Sequence, residues 1–379
     1  MNRERPGLGA GGEERGRNAR AFTPISSLSR FVRDDGPPHP AFGHLPPPRG
    51  LASVPVRLVC VALVAATVGC RGATHEEKNT PTSGPVKAAR LAGEAGGWPV
   101  EVIDSLGRRV AVAKPAERVV SLAPSNTEIL FAVGGGDRVV GVTMMDDYPP
   151  EAKTRTSIGG MAPSSVNLEA LAALKPDLVL ATGGVQQPIV EPLERLGLTV
   201  VAIDAERPED VSANIRVVGR LVGREAESEA LATRFEERVD GVRRRVAARG
   251  SAPRPKVLYL LYDEPLMTVG PGTFLGRMIE TAGGANVFGD VTARYPTPSD
   301  EEVLLRAPEV VLATFGLMGG GGGPEPGRQR LLKRPGWKDV PAVRDGRIVA
   351  LDEDLTTRVG PRLVEGLEAV EAALAPPPG

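Results

Sequence analysis

The sequence predicts an α/β protein in two lobes with a purely helical segment between them. Three observations carry this expectation. Buried-type strands alternate with helical stretches from about residue 118 to 204, and again from 256 to 375. Between the two series, residues 208–250 show only the helical period. One helix–turn–strand unit is also written twice. "NLEALAALKPDLVLATGG" (167–184) returns 132 positions later as "SDEEVLLRAPEVVLATFG", with Glu169 on Glu301, Pro176 on Pro308 and LVLAT on VVLAT. The expected fold is two Rossmann-like α/β lobes joined by a long backbone helix.

The elements follow in order. "VEVIDSLGRRVAVAK" (100–114) alternates either side of a D-S-L-G turn and reads as a β-hairpin. "RVVSLA" (118–123) is a buried strand. It runs into "PSNTEILFAVGG", where Ser125 and Glu128 have capping-box spacing and Gly134 stops the helix. "RVVGVT" (138–143) is the next strand, followed by the loop "MMDDYPPEA". The first copy of the repeated unit comes next, with Asn167 as helix N-cap, and "GLTVVAID" (197–204) adds a further strand.

In the helical segment Val211, Ile215, Val218 and Val222 share one face. After Gly223, so do Leu231, Phe235, Val239, Val242 and Val246. The second helix, about 25 residues, would be about 37 Å long, the height of a domain. A second α/β series begins with "KVLYLLY" (256–262) and the helix "TFLGRMIETAGG" (273–284). The second copy of the unit, with Ser299 as N-cap, precedes the strand "GRIVALD" (346–352). The last helix (361–375) places Leu363, Leu367, Val370 and Leu374 at helical spacing.

Composition narrows the chemistry. Of 379 residues, 41% are hydrophobic but only 4% aromatic, so Val, Leu, Ala and Ile must build the core. Residues 1–70 carry nine Lys/Arg against five Asp/Glu, whereas residues 71–379 carry 37 against 42. A mildly acidic folded portion gives no electrostatic reason to expect nucleic acid. His39, His44 and His75 and both cysteines, Cys60 and Cys70, precede residue 76. The folded portion therefore lacks Ser–His and Cys–His catalysis, thiolate iron–sulfur ligation and the usual zinc sites.

The front end reads as an address. "VRLVCVALVAATVGC" (56–70) is an apolar run too short to span a bilayer comfortably, closed by Gly69–Cys70. A small residue before Cys resembles a bacterial lipoprotein signal, with Cys70 lipidated as the new N-terminus. A plain secretory signal cut nearby is the alternative, since Thr67 stands where Leu is usual. Residues 1–55, rich in Arg, Gly and Pro, are expected to be an upstream extension from a misassigned start or a disordered tail. Residues 71–99 are expected to be a flexible tether.

From about Arg118 to Ala375 the chain resembles the periplasmic substrate-binding proteins that feed ABC importers for iron chelates and vitamin B12. The likeness is carried by "VVSLAPSNTEILFAVG", "VGVTMMDDYPPEA", "VNLEALAALKPDLVLA", "GGANVF" and "PRLVEGLEAV", in that order. The resemblance implies the class III binding-protein fold, with an N-terminal lobe over 100–207, linking helices over 208–250 and a C-terminal lobe over 251–379. It implies a monomer that is not an enzyme and has no cofactor of its own. Its partners would be an ABC importer permease dimer with its ATPase, a small-molecule metal chelate, and a membrane reached through the lipid anchor alone.

The ligand is expected at the loops that follow the carboxyl ends of the strands. Candidates from the first lobe are Pro124, Ser125, Asn126, Met145, Asp146, Met161 and Thr182. Tyr262, Met267, Tyr295, Leu355 and Arg358 are those from the second. Compared with the aromatic clefts of B12 binders, Met145, Met161, Thr182, Met267 and Leu355 stand where rings are usual, leaving Tyr295. The overall likeness makes a corrinoid the leading ligand, while this cleft composition is permissive and less specific. A ferric siderophore, for which Arg294 and Arg358 are available, and haem are alternatives. Without His, a haem iron would need Tyr148, Tyr259, Tyr262 or Tyr295 as axial ligand.

The duplicated acids have two readings. An acid in the first turn favours the helix dipole by about 0.3–1 kcal/mol. In the family, one such glutamate per lobe docks to permease arginines, which makes Glu169 and Glu301 the expected anchors. Rivals of another class are a carboxylate-based metal-dependent hydrolase using Asp146, Asp147 and Asp263, and a lipid-anchored sensor. The glycine-rich "GLMGGGGGPEPG" (316–327) lacks the Lys–Ser/Thr ending of a phosphate loop and is expected to be a surface loop.

Overall fold

The computed structural model describes residues 87–92, 97–315 and 323–375. The signal segment with Cys70, the upstream residues 1–55, most of the expected tether and the glycine run at 316–322 lie outside them.

Chain order begins with a three-stranded antiparallel sheet of β1 (Arg90–Leu91), β2 (Val100–Ile103) and β3 (Arg109–Val112). The D-S-L-G turn forms as the sequence predicts. The Asp104 carboxylate accepts the backbone N–H groups of Leu106 (3.0 Å) and Arg108 (2.9 Å), and Gly107 takes the left-handed conformation. The expectation of a tether reaching residue 99 is corrected here. Arg90 pairs with Ile103, Ala89 N–H donates to Asn214 Oδ1 (3.2 Å), and the Arg220 guanidinium lies 5.1 Å from the Trp98 ring centre. These contacts bury the end of the segment against the first lobe.

That lobe contains β4 (Val119–Ser121), α1 (Pro124–Ala132), β5 (Val139–Val142), β6 (Thr156–Ser157), α2 (Leu168–Ala173), β7 (Leu178–Ala181), α3 (Gln187–Arg195) and β8 (Val200–Ala202). Its sheet is wholly parallel, in the order β6-β5-β4-β7-β8. Two helices follow, α4 (Pro208–Leu221) and α5 (Glu225–Ala248). The 24 residues of α5 give it a length of about 36 Å. The second lobe contains β9 (Lys256–Asp263), β10 (Leu266–Thr268), α6 (Phe274–Thr281), β11 (Ala285–Asn286), α7 (Asp300–Arg306), β12 (Val310–Ala313), α8 (Pro324–Leu332), α9 (Pro341–Arg344), β13 (Ile348–Ala350), α10 (Glu353–Thr357) and α11 (Leu363–Ala373). Its order is β10-β9-β12-β13 with β11 beside β9, and β10 is antiparallel. An entirely parallel second sheet is therefore not what forms, because a short hairpin returns β10 directly onto β9.

The core explains how the lobes are held. One continuous apolar cluster runs from Val119 and Leu178 of the first sheet, through Val211, Val218, Phe235 and Val239 of the linking helices, to Val257, Val310 and Leu367 of the second lobe. Separate clusters fill the outer side of each sheet. The helices are thus packed into the interiors of both lobes. Ion pairs Arg238–Glu368 (2.7 Å) and Arg245–Glu371 (2.9 Å) tie α5 further to α11.

The duplicated unit is structurally equivalent throughout. Asn167 Oδ1 accepts the Ala170 N–H and Ser299 Oγ accepts the Glu302 N–H, so both N-caps are as the sequence predicts. Lys175 and Ala307, 132 positions apart, have φ of +47° and +50° and are the non-glycine left-handed residues among those described. After the following proline, Asp177 accepts the Arg118 N–H and Glu309 accepts the Lys256 N–H, each at 2.9 Å. An acid thus holds the start of the neighbouring strand in each lobe.

Candidate functional site

The carboxyl ends of the two sheets bring their loops to facing rims. At one edge, Arg358 of the second lobe reaches Asp147 (2.6 Å), which follows β5, and Glu128 (3.5 Å) on α1. Arg362 donates two hydrogen bonds to Glu128 (2.6 and 3.0 Å) and lies 3.6 Å from the Tyr148 ring centre. At the other edge, Arg294 lies 3.5 Å from Glu206, which follows β8. β5 and β8 are three strand spacings apart in the first sheet, about 14 Å, so the two sets of bridges stand toward opposite sides of it.

Glu128 corrects a local expectation. Helix α1 begins at Pro124 after Ala123, whose side chain cannot cap, and Ser125 is already buried in the first turn. The buried Glu128 carboxylate turns to two guanidinium groups of the second lobe, which satisfy it better than a single backbone N–H. A Cβ on Gly360 would meet Glu128 Oε2 at 3.3 Å, so the glycine lets the second lobe approach.

The expected site residues divide into two groups. Met145 and Tyr295 are exposed at the rims, and Met161, Thr182, Tyr262, Met267, Leu355 and Arg358 are half-buried. Pro124, Ser125, Asn126 and Asp146 are buried. Asp146 in particular is turned inward, its two oxygens taken by the Thr127 and Thr143 hydroxyls and the Thr143 N–H. It holds the β5 loop and is not placed for direct contact with a ligand. Desolvation raises its pKa, against those hydrogen bonds. Arg358, expected to be available to a ligand, is already paired with Asp147, Asp354 (2.8 Å) and Glu128. Tyr259 is removed from the axial-ligand candidates, because it is buried with its hydroxyl donating to Thr356 Oγ1 (3.2 Å). The hydrolase trio does not assemble, since Asp146 faces inward, Asp147 pairs with Arg358 and Asp263 pairs with Arg330 (2.5 Å).

Polar residues beneath the rims shape the floor, and of these sequence reasoning missed Thr314 and Asp204. Gln186, fully buried, donates to the carbonyls of Leu122 (2.5 Å) and Met161 (3.0 Å) and accepts the Thr182 N–H (2.9 Å). One amide thus ties three strand-end loops together. Asn126 Nδ2 donates to the Ala181 carbonyl (3.1 Å) while its Oδ1 has no partner. Thr314, the counterpart of Thr182, has a hydroxyl without a partner among the described residues. Burial pushes the Asp204 carboxyl up to about 6, opposed by N–H groups of Ala205, Gly184 and Gly183. A signal for Asp204 did exist, because "VVAID" after Thr199 matches "IVALD" after Arg347, aligning Asp204 with Asp352.

Among the described residues, five of the eight exposed large apolar side chains sit on these rims: Met144 (70% exposed), Val185 (60%), Tyr295 (51%), Tyr148 and Met145. A groove of about 570 Å³ also runs from Glu128 and Tyr148 along α1 to Asp137. It leads away from the strand ends and borders the cleft only at its wall.

Residues 119–355 match the family model described as periplasmic binding protein. The chain is 34% identical over 313 residues to a cobalamin-binding protein of Halobacterium salinarum (strain ATCC 29341 / DSM 671 / R1), covering 81% of each. It is 31% identical over 284 residues to the "uncharacterized ABC transporter substrate-binding lipoprotein YvrC" of Bacillus subtilis (strain 168), covering 74% of this chain and 86% of the relative. Among solved structures it superimposes on the apo form of the periplasmic heme-binding protein RhuT from Roseiflexus sp. RS-1. That match has a TM-score of 0.60 and 32% identity, covering 68% of this chain and 98% of that one. The two α/β lobes, the helices packed between them and these matches agree: the chain belongs to the periplasmic binding protein family, as a solute-binding protein and not an enzyme.

Proposed function

We propose that the protein captures a metal chelate, foremost cobalamin or another corrinoid, in the cleft and delivers it to the permease of an ABC importer. The observation that carries this reading is the group of exposed apolar side chains Met144, Met145, Tyr148 and Val185 on strand-end loops of the first lobe, with Tyr295 contributed by the second. Isolated apolar residues on a surface need no explanation, but four gathered on one rim, with Tyr295 from the other lobe, suit a broad, largely apolar ligand. Flexible thioethers at Met144 and Met145 can adapt to such a face. The name of the Halobacterium relative points the same way.

The experiment is a visible spectrum and mass spectrum of protein purified without added ligand, followed by titration with cyanocobalamin. A corrinoid spectrum, or saturable binding at micromolar concentration or below, supports the reading. Absence of binding by any metal chelate defeats it. Haem is the second reading, favoured by the heme-binding neighbour and by the half-exposed Tyr295, the most accessible phenol among the described residues.

Glu169 and Glu301 serve in this proposal as the permease anchors. Both are exposed, in the first turns of equivalent helices, one on each lobe. Cys70 would carry the lipid that holds the protein to the membrane, and Cys70→Ser should release it to the soluble fraction. Because one core runs through both lobes, closure on ligand should be small. Solution scattering with and without ligand checks this, and a contraction of several ångströms would contradict it.

A further inference from the structure

The arginines that the fold brings to the cleft are not free cations. Arg358 is held by Asp147 (2.6 Å), Asp354 (2.8 Å) and Glu128 (3.5 Å), and its side chain is largely enclosed. Arg362 is spent on Glu128, and Arg294 faces Glu206. In the inter-lobe bridges the acid comes from the first lobe and the guanidinium from the second. With Asp204 at the end of β8, three guanidinium groups meet five carboxylates.

An anionic ligand group arriving here would have to displace a carboxylate from Arg358 and would then stand beside that like charge. Either step opposes binding. A neutral or cationic ligand meets no such barrier and can use the apolar rims directly.

We infer that this cleft discriminates by charge: Asp147, Asp354 and Glu206 neutralise the rim arginines so that neutral or cationic metal chelates are accepted and polyanionic ones rejected. The inference rests on the reading of the cleft as a chelate site and names the class of chelate. It favours corrinoids over haem with ionised propionates and over catecholate siderophores.

The test uses the wild-type protein first, titrated with cyanocobalamin and with haemin at 20 and 300 mM salt. Cyanocobalamin should bind at least tenfold more tightly at low salt. Haemin binding should strengthen as salt screens like-charge repulsion. The Asp147→Asn/Asp354→Asn double variant should raise the haemin-to-cyanocobalamin affinity ratio at least tenfold by uncovering Arg358. Haemin binding that equals cyanocobalamin and weakens with salt overturns the charge filter while leaving the chelate reading intact. Failure of both probes to bind the wild type overturns both.

Discussion

The two copies of the repeated unit share a backbone and differ in what surrounds it. In both, a polar cap starts a short helix, a left-handed residue ends it, a proline follows, and an acid fastens the next strand. The first copy leaves its helix lightly held, with Leu168 half-buried against the outer core. The second is braced: Asp300 Oδ1 accepts hydrogen bonds from Arg334 Nε (2.6 Å) and Trp337 Nε1 (2.7 Å), and Arg306 reaches Asp290 (2.6 Å) and the Phe288 ring (4.3 Å). The bracing engages Asp300 in that pair and Glu302 with Arg306 (3.2 Å). Glu301 is left facing solvent, as Glu169 does in the first copy. Unequal surroundings therefore converge on one solvent-facing glutamate at the same position of each copy.

The largest expected effect tests that equality. The Glu169→Gln/Glu301→Gln variant should lose most uptake while keeping ligand affinity, each contact contributing about 1.5–3 kcal/mol, and each single change should give a partial loss. Uptake and ligand titration on the same four proteins decide it. Wild-type transport by the double variant would end the anchor reading, and unequal singles would show that the bracing matters to docking.

The next comparison sets Asp204 against Asp352. With its pKa raised to about 6, native Asp204 holds a proton more tightly than the unfolded chain does. Its stabilising contribution is whole below about pH 4, falls as pH rises, and is lost above about pH 6. Asp204→Asn should therefore gain on wild type across that window by on the order of 2–3 kcal/mol in denaturant unfolding. Asp352 instead caps α10 through the Leu355 N–H (3.2 Å), so Asp352→Ala should cost about 1 kcal/mol.

Bracing should be visible in stability. Asp300→Ala removes the acceptor of Arg334 and of the Trp337 indole and should cost about 1.5–3 kcal/mol. A loss below 0.5 kcal/mol, measured by the same unfolding titration, would mean that the second helix is no better held than the first. The smallest effect concerns the left-handed positions. Lys175→Gly and Ala307→Gly should each stabilise by about 0.5–1 kcal/mol, and equal gains would establish the two turns as equivalent.

The molecule divides cleanly into what was local and what was not. The hairpin turn, the two linking helices, both repeat caps and the first-lobe strands were legible because hydrophobic period and capping act within a few residues. The recurrence of Glu169 and Glu301 was legible because a 132-residue offset is visible in the letters alone. Glu128 was misread as a capping partner because its real partner, Arg362, stands 234 positions away. Asp146 was read as a ligand contact because an acid in a loop carries no mark of which way it points.

Sequence by itself determined the two α/β lobes, the helices between them and the duplicated acids. Tertiary structure alone decided the pairing of Glu128, Asp147 and Glu206 with arginines of the other lobe, the Gln186 tie beneath three loops, and the burial of Asp204. The reason is physical: secondary structure answers to neighbours along the chain, whereas a charge finds its partner only after packing has brought distant segments together and removed the water between them.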